Sequence, residues 1–264
     1  MVHSDCLAKT FSGPKGESVR AVSGVSFDVE PGQVYGLLGV NGAGKTSVLR
    51  MLSTVLRPSS GRAVVAGYDV QTHQARVRAS IGFMSSSTAL YGRLTAMETI
   101  QYFGGLFGLA GRDLASRVDL LIDRLGIGPF AHRLCDKLST GQKQRVSIAR
   151  TLVHNPPVLF FDEPTSGLDV LTAQVVLEFI EEMKVQGKTI VYCTHILSEA
   201  ERLCDRVGVI HEGTIRAEGT VDELKRASET STLEGAFLNL VGHMRRDPLQ
   251  TAPDSGQGSA EGRP

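Results

Sequence analysis

The sequence predicts an α/β fold in which a buried β core is combined with an antiparallel β portion and an inserted block of helices. Residues 34–38 and 158–161 are apolar runs without polar alternation, which is typical of strands covered on both faces. Residues 95–154 instead place apolar side chains at helical spacing. A chain of 264 residues is long enough for one large domain that carries such an insertion.

Short strands and tight turns dominate the first part of the chain. Gly and Pro mark the turns, and β-branched and aromatic residues fill several of the segments between them. The loop at 12–18 separates the first two strands, which predicts an antiparallel start. The predicted strands lie at 7–11, 25–29, 34–38, 63–66 and 81–84, with one helix at 47–53.

Three helices are predicted next. The strings 95–98 and 139–142 fit the capping box, in which a side chain at the helix start and one three residues later satisfy two free backbone N–H groups. Asp113 is the predicted cap of the middle helix, and Gly126 is its predicted end. We therefore expect an inserted helical subdomain at about 87–155.

The α/β pattern resumes after the two prolines at 156–157. The predicted elements are strands at 158–161 and 189–193, helices at 171–185, 198–204, from 220 and at 232–241, and a hairpin of 207–211 with 214–217. Residues 244–264 contain too few apolar side chains to pack. We therefore expect one domain at 1–243 and a disordered tail at 244–264.

The strand at 34–38 runs directly into a loop of the pattern G-x-x-x-x-G-K-[ST], which predicts a P-loop nucleotide hydrolase core. Glycines let backbone N–H groups turn toward phosphate oxygens, and the following helix adds the positive end of its dipole. Lys45 is expected to reach the β- and γ-phosphates, and the Thr46 hydroxyl to ligate Mg²⁺. The predicted nucleotide-binding residues of this loop are Gly39, Asn41, Gly42, Ala43, Gly44, Lys45, Thr46 and Ser47.

Two carboxylates, Asp162 and Glu163, close the buried strand at 158–161. A carboxylate at such a strand end, opposite a phosphate loop, can hold Mg²⁺, so Asp162 is a predicted metal ligand with Thr46. Glu163 points elsewhere and can orient or deprotonate a water for in-line attack on the γ-phosphorus. The alternative is a pair of solvated acids in a strand-to-loop turn, which the presence of Lys45 disfavours.

Composition argues against several other classes of protein. Lys and Arg together number 28, as do Asp and Glu, so no overall field attracts the chain to nucleic acid. The four cysteines have neither metal-site spacing nor the density of a disulfide scaffold, which is most simply explained by reduced thiols in a cytosolic protein. No apolar run approaches the ~18 residues of a membrane span, and the N-terminus lacks the apolar core of a signal peptide.

The motifs and their order resemble those of ATP-binding-cassette (ABC) ATPases. The most specific is LSTGQ at 138–142, followed by KQR at 143–145, VLFFDE at 158–163, PTSGLD at 164–169 and His195. The resemblance extends over residues 4 to about 242. It implies an ATP-hydrolysing, nucleotide-binding subunit of an ABC transporter, with ATP and Mg²⁺ as ligands.

The resemblance also implies a head-to-tail dimer with two ATP molecules at its interface. The start of the helix at 139 would contact the γ-phosphate held by the other subunit's Lys45, because a hydroxyl and free N–H groups at a helix start form an anion site. An ordinary helix cap is the alternative. The residues implied for this second contact are Ser139, Thr140, Gly141, Gln142 and Asp169.

By the same resemblance, His195 contacts the γ-phosphate and Glu163, so that Glu163, His195 and Lys45 form the expected catalytic set. Phe11 stands where such proteins stack an aromatic ring on adenine. The implied partner is a separately encoded integral-membrane permease that docks near residues 85–102. The expected location is cytoplasmic, peripheral on the inner face of the membrane, with no nucleic acid bound.

Two positions depart from the family pattern. Ser86 stands where the family commonly has glutamine, and its shorter side chain spans the same gap only through a water. Thr140 replaces a frequent glycine. The string at 81–100 resembles the sodium-efflux ATPase subgroup of bacterial ABC-2 type exporters, which tend to lack that glutamine. A soluble ABC ATPase acting on nucleic acid and a nucleotide sensor without turnover are the alternatives.

Overall fold

The computed structural model describes residues 1–13, 17–85 and 89–242. Its strands are β1 (Val2–Ser12), β2 (Ser18–Val29), β3 (Val34–Leu38), β4 (Ser60–Val65), β5 (Tyr68–Asp69), β6 (Ile81–Ser85), β7 (Val158–Asp162), β8 (Thr189–Thr194), β9 (Arg206–His211) and β10 (Thr214–Gly219). Its α-helices are α1 (Lys45–Leu52), α2 (Gln74–Ser80), α3 (Ala96–Leu106), α4 (Gly111–Arg124), α5 (Thr140–Leu152), α6 (Val170–Val185), α7 (Leu197–Leu203), α8 (Val221–Ala227) and α9 (Leu233–Gly242).

A six-stranded sheet of order β10-β9-β3-β8-β7-β6 forms the centre of the fold. The pairs β9–β3, β3–β8, β8–β7 and β7–β6 are parallel, and β10 adds an antiparallel edge. Strand β8 therefore lies between the strand that leads into the phosphate loop and the strand that ends in Asp162. Because parallel strands end at the same edge, the residues that follow β3, β7 and β8 meet there.

Both faces of this sheet are covered, which explains the uninterrupted apolar runs. In β7, Leu159 and Phe161 pack into a cluster with residues of α3, α5 and α6, whereas Val158 and Phe160 pack into a cluster with α1 and the antiparallel strands. All four side chains are fully buried. Strand β7 thus alternates between two apolar layers and has no polar face.

The antiparallel portion is confirmed as a second sheet of order β2-β1-β4-β5. Its first two strands pair from Val2 opposite Val29 to Ser12 opposite Ser18, so they are longer than the expected segments at 7–11 and 25–29. The register shifts along this pair and the polar positions within it, such as Ser4, hide the outer parts of these strands from a search for alternation.

The inserted helical block lies between β6 and β7 in the chain, although these two strands are direct neighbours in the sheet. Capping boxes at Thr95 and at Ser139 are confirmed. The prediction that Asp113 caps α4 is wrong. The cap is Ala110, because its carbonyl accepts from Leu114 N–H, and this places Asp113 inside the first turn. Between α4 and α5 the chain forms short 3₁₀ helices at Gly128–Phe130 and Cys135–Lys137.

The C-terminal elements follow the prediction closely. Strands β9 and β10 form the expected hairpin, and Thr220 opens α8 with a capping box. Helix α2 was not expected, because its mostly polar sequence QARVRAS buries just Val77. None of the described helices combines the length and apolar character needed to cross a lipid bilayer. The predicted tail at 244–264 lies outside the described residues.

Candidate nucleotide-binding site

The phosphate loop connects β3 to α1, and at two of its positions only glycine fits without a steric clash. Gly44 is the N-cap of α1 at φ +108°, and a Cβ there would lie 2.7 Å from the Ala21 carbonyl oxygen. A Cβ at Gly39 would lie 2.4 Å from the Ile210 carbonyl oxygen. Any side chain at either position would therefore displace the loop from the neighbouring backbone.

Lys45 is the first residue of α1, and its side chain turns back along the loop. Its Nζ donates to the carbonyl oxygens of Gly39 at 2.7 Å and Val40 at 3.1 Å, and lies 3.3 Å from Glu163 Oε1. The side chain is almost entirely buried. The loop therefore holds the Lys45 ammonium group at the point where the sequence predicts bound phosphate.

Thr46 and Asp162 join α1 to the end of β7. The Thr46 hydroxyl donates to Asp162 Oδ1 at 3.1 Å. Burial raises the pKa of Asp162, and the bond from Thr46 opposes this effect. A cation beside this carboxylate would favour its charged form, so the oxygen pair fits the predicted role in holding Mg²⁺.

The donor set also limits the kind of metal site. In the ranges that the structure covers, no group of three or more His, Cys, Asp or Glu side chains is placed to hold an ion. Two protein oxygens suit Mg²⁺ that keeps waters and binds together with substrate phosphates. The residues therefore fit a nucleotide-bound ion better than a permanent metal centre.

Glu163 stands at the meeting point of three strands. Its Oε1 lies 3.3 Å from Lys45 Nζ and 3.2 Å from His195 Nδ1, and its N–H donates to the Cys193 carbonyl at 2.9 Å. Its backbone has φ +51°, a left-handed conformation that costs about 1 kcal/mol or more for a residue with a side chain. The fold thus holds this carboxylate in one direction, between a cation and an imidazole.

The loop side of the site is a cavity of about 160 Å³. Its lining residues are Ala21, Asn41, Gly42, Gly44, Lys45, Thr46, Ser47 and Glu163. Ala43 is buried, and its carbonyl accepts from Gly213 N–H, so it supports the loop from behind.

Phe11 lies in an adjoining cavity of about 500 Å³, which Ser47 and Arg50 also line. The Phe11 ring is 42% exposed and has Lys9 Nζ 5.3 Å from its centroid. An exposed ring beside the phosphate loop could stack on a planar base. Its assignment to adenine stays a prediction.

The start of α5 forms a separate cavity of about 430 Å³ with the start of α6. It contains Ser139, Thr140, Gly141, Gln142 and Asp169, the residues implied for the second nucleotide contact. Ser139 Oγ accepts from Gln142 N–H, and Gln142 Oε1 accepts from Ser139 N–H. Within the described residues this cavity and the one at Lys45 have no lining residue in common.

Asp169 acts in this structure as the N-cap of α6. Its two carboxylate oxygens accept from the N–H and the hydroxyl of Thr172, at 3.0 and 2.8 Å, and these bonds lower its pKa. Its contribution to nucleotide binding remains a prediction.

Three features of the site have no distinctive signal in the sequence beyond the motif letters at 143–145. Gln144 donates from Nε2 to the Pro164 carbonyl, which ties α5 to the loop after Glu163. Arg145 lines the cavity at Ser139. Buried Glu199 accepts hydrogen bonds from side chains on two elements of the site. Ser86 lies outside the described residues.

Comparison with known sequences identifies a family and relatives of this chain. The family model described as ABC transporter matches residues 22–166. The ABC transporter ATP-binding protein NatA of Bacillus subtilis is 39% identical over 89% of this chain and 96% of its own length. The probable multidrug ABC transporter ATP-binding protein YbhF of Escherichia coli is 38% identical over 84% of this chain, and the match spans 39% of YbhF.

Solved structures give the same result for the fold. An ATP-binding subunit of an ABC transporter superposes with a TM-score of 0.82 at 27% identity, covering 91% of this chain and 99% of that one. The ATP-binding cassette MJ0796, a dimer in a post-hydrolysis state with ADP and Pi, gives 0.77 at 25% identity, covering 83% and 98%. The P-loop core, the antiparallel sheet and the inserted helices are therefore the architecture of these proteins.

Proposed function

The chain is an ATP-binding, ATP-hydrolysing member of the ABC transporter family, and we propose that it powers export through a separately encoded membrane permease. The observation that carries the proposal is the position of one oxygen. Glu163 Oε1 lies 3.3 Å from the phosphate-loop lysine and 3.2 Å from His195, beside the Thr46–Asp162 pair. A carboxylate held in this position can orient or deprotonate the attacking water, which hydrolysis needs and nucleotide binding does not.

In the proposed mechanism, each of these side chains has one task. Lys45 neutralises charge on the β- and γ-phosphates, and Glu163 orients or deprotonates the attacking water. His195, whose Nδ1 lies 3.2 Å from Glu163 Oε1, would hold the Glu163 carboxylate and contact the γ-phosphate. Thr46 and Asp162 would hold Mg²⁺, which supplies charge neutralisation at the phosphate oxygens when bound.

The working unit in this proposal is a head-to-tail dimer. The cavity at Ser139 offers a helix start but lacks a phosphate loop, and the cavity at Lys45 offers a phosphate loop but lacks this helix start. Pairing two chains in opposite directions would complete both sites at once. The dimeric state of MJ0796 with ADP and Pi supports such an arrangement.

The proposed docking surface for the permease is an aromatic groove between the core and the helical block. It is a cavity of about 250 Å³ lined by Phe83, Phe103, Phe107 and His154 among others. Tyr91 extends it, because its exposed ring stacks on the lining residue Phe103 with ring centroids 6.3 Å apart. Exposed apolar surface of this kind marks interaction sites, and it lies close to the segment 85–102 that the sequence indicates.

Export is the finer part of the proposal. NatA and YbhF are named as ATP-binding proteins of ABC transporters, and YbhF as a probable multidrug one. We place the chain with them as a bacterial ABC-2 type exporter subunit, cytoplasmic and bound to the inner face of the membrane through its permease. The cargo is selected by the permease, which contains the translocation path.

The test is to co-express the chain with a candidate permease, chosen as a protein with about six predicted membrane spans from a neighbouring reading frame, purify the complex in detergent, and measure ATP hydrolysis and transport in vesicles. We expect co-purification and ATP-dependent transport. Tyr91→Ala and Arg93→Ala should reduce transport at least tenfold while basal hydrolysis stays within twofold of wild type. Val185→Ala, at an 87% exposed position away from the groove, is the matched control. Equal loss of transport and hydrolysis in the Tyr91 variant would remove the docking assignment.

A further inference from the structure

Glu199 is a buried carboxylate that the proposed mechanism does not use. It lies in the first turn of α7 and is 5% exposed. A carboxylate taken out of water needs hydrogen-bond donors, because burial without them strongly disfavours its charged form. The donors that surround Glu199 therefore indicate the role of this buried side chain.

Three hydroxyl groups donate to Glu199. Thr165 Oγ1 donates to Oε1 at 2.5 Å, and both Tyr192 Oη and Thr194 Oγ1 donate to Oε2 at 2.8 Å. All three donors are themselves buried. Burial raises the pKa of Tyr192, so its hydroxyl keeps the proton that it donates.

The donors come from the two segments that hold the catalytic groups. Thr165 lies two residues after Glu163, and Thr194 directly precedes His195. The Thr194 hydroxyl also accepts from Ile196 N–H at 2.9 Å, so both neighbours of His195 are tied to Glu199 through one oxygen. A shift of this carboxylate would therefore move His195 and the loop 164–169 together.

We propose that Glu199 is a positioning residue for ATP hydrolysis, which sets His195 against Glu163 and fixes the loop 164–169 to the same strand end. It acts through these groups and does not touch the nucleotide. The inference rests on the proposed mechanism in which Glu163 and His195 work as a pair. The further point is that one buried carboxylate with three hydroxyl donors fixes the relative position of the segments that contain Glu163 and His195.

The test replaces Glu199 by Gln in the full-length chain. Gln keeps the volume, but it has one acceptor oxygen where the carboxylate has two, so at least one hydroxyl must turn or lose its partner. We expect kcat for ATP hydrolysis to fall about tenfold, equivalent to about 1.4 kcal/mol, while the Kd for a fluorescent ATP analogue stays within twofold. Glu201→Gln is the matched control, because it removes the same charge from the same helix at an exposed position, where Glu201 pairs with Lys225 at 3.0 Å.

Two further measurements separate positioning from a loss of folding. Thr165→Val and Thr194→Val each remove one donor with little change in volume, and each should lower kcat with little effect on Kd. In a His195→Ala background, Glu199→Gln should cost less than twofold more, because its main target is then absent. Wild type without turnover would contradict the proposed function. If wild type hydrolyses ATP, any one of three results would overturn the inference. These are a Glu199→Gln variant with the kcat of wild type, a parallel loss of kcat and ATP affinity in that variant, and effects of Glu199→Gln and His195→Ala that multiply in the double variant.

Discussion

Glu163→Gln is the substitution that tests the site most directly. The Glu163 side chain is 20% exposed, and its Oε1 faces both Lys45 and His195. Gln keeps an oxygen for these two contacts and loses the negative charge and the ability to take a proton. Removing a group that stabilises the transition state costs about 3 kcal/mol, so we expect a loss of about a hundredfold in the hydrolysis rate.

The same geometry predicts that ATP binding survives this change. Lys45 keeps its bonds to the Gly39 and Val40 carbonyls, and it no longer has an ion pair that competes with phosphate. The Kd for ATP should therefore be equal to that of wild type or lower. Because the step that splits the complex is blocked, the variant should accumulate as a dimer with Mg·ATP.

The assay measures phosphate release, nucleotide affinity and molar mass by light scattering in one preparation. Glu178→Gln, which changes an exposed carboxylate that bonds with Gln174 on α6, is the control and should behave as wild type in all three. Hydrolysis within twofold of wild type after Glu163→Gln would refute the assignment of Glu163 as base. Negligible turnover in both proteins would indicate a nucleotide sensor.

Three other substitutions probe the loop, the helix start and the groove. Lys45→Ala should weaken ATP binding at least tenfold by equilibrium fluorescence, since it removes the cation of the phosphate loop; unchanged affinity would contradict its role. Ser139→Ala removes the bond from Gln142 N–H and should lower the free energy of unfolding by about 1 kcal/mol, or Tm by a few degrees. It should also reduce ATP hydrolysis, while the affinity of the monomer for ATP is unchanged. Hydrolysis at the wild-type rate would indicate that Ser139 is an ordinary helix cap. Burial lowers the pKa of His154 to about 4 from 6.5, so the unfolded chain takes up a proton between these values and stability should fall as pH drops from 6.5 toward 4. His154→Gln should flatten this part of the Tm profile, and an unaltered slope would argue that other groups cause it.

The sequence predicts local structure best where both partners of an interaction lie close together in the chain. The capping boxes at Thr95 and Ser139 join residues three positions apart, and the apolar strand at 34–38 needs no knowledge of its neighbours. The order of motifs along the chain then indicates that Lys45 and Glu163 meet, because both follow buried parallel strands.

Interactions between residues that are far apart in the chain leave no local pattern in the sequence, so the sequence does not predict them. Glu199 lies 34 residues from Thr165, and its role depends on α7 packing beside β8. The cap of α4 was misplaced because its first turn closes through the Ala110 carbonyl, a backbone feature with no side-chain signal. Helix α2 has too few apolar residues to produce a periodic pattern.

The cavity at Ser139 has features that favour the proposed nucleotide site shared between two chains. Helices α5 and α6 both begin there, and a Cβ at Gly141 would lie 2.8 Å from Thr172 Cγ2, so the two helix starts are in close contact. Two positive dipole ends would meet in one place. Asp169 satisfies the start of α6 with its own charge, while the cap of α5 is a neutral hydroxyl. The start of α5, with Arg145 beside it, therefore remains the part of this cavity that attracts an anion, and in the proposed dimer that anion is the phosphate held by the other chain's loop.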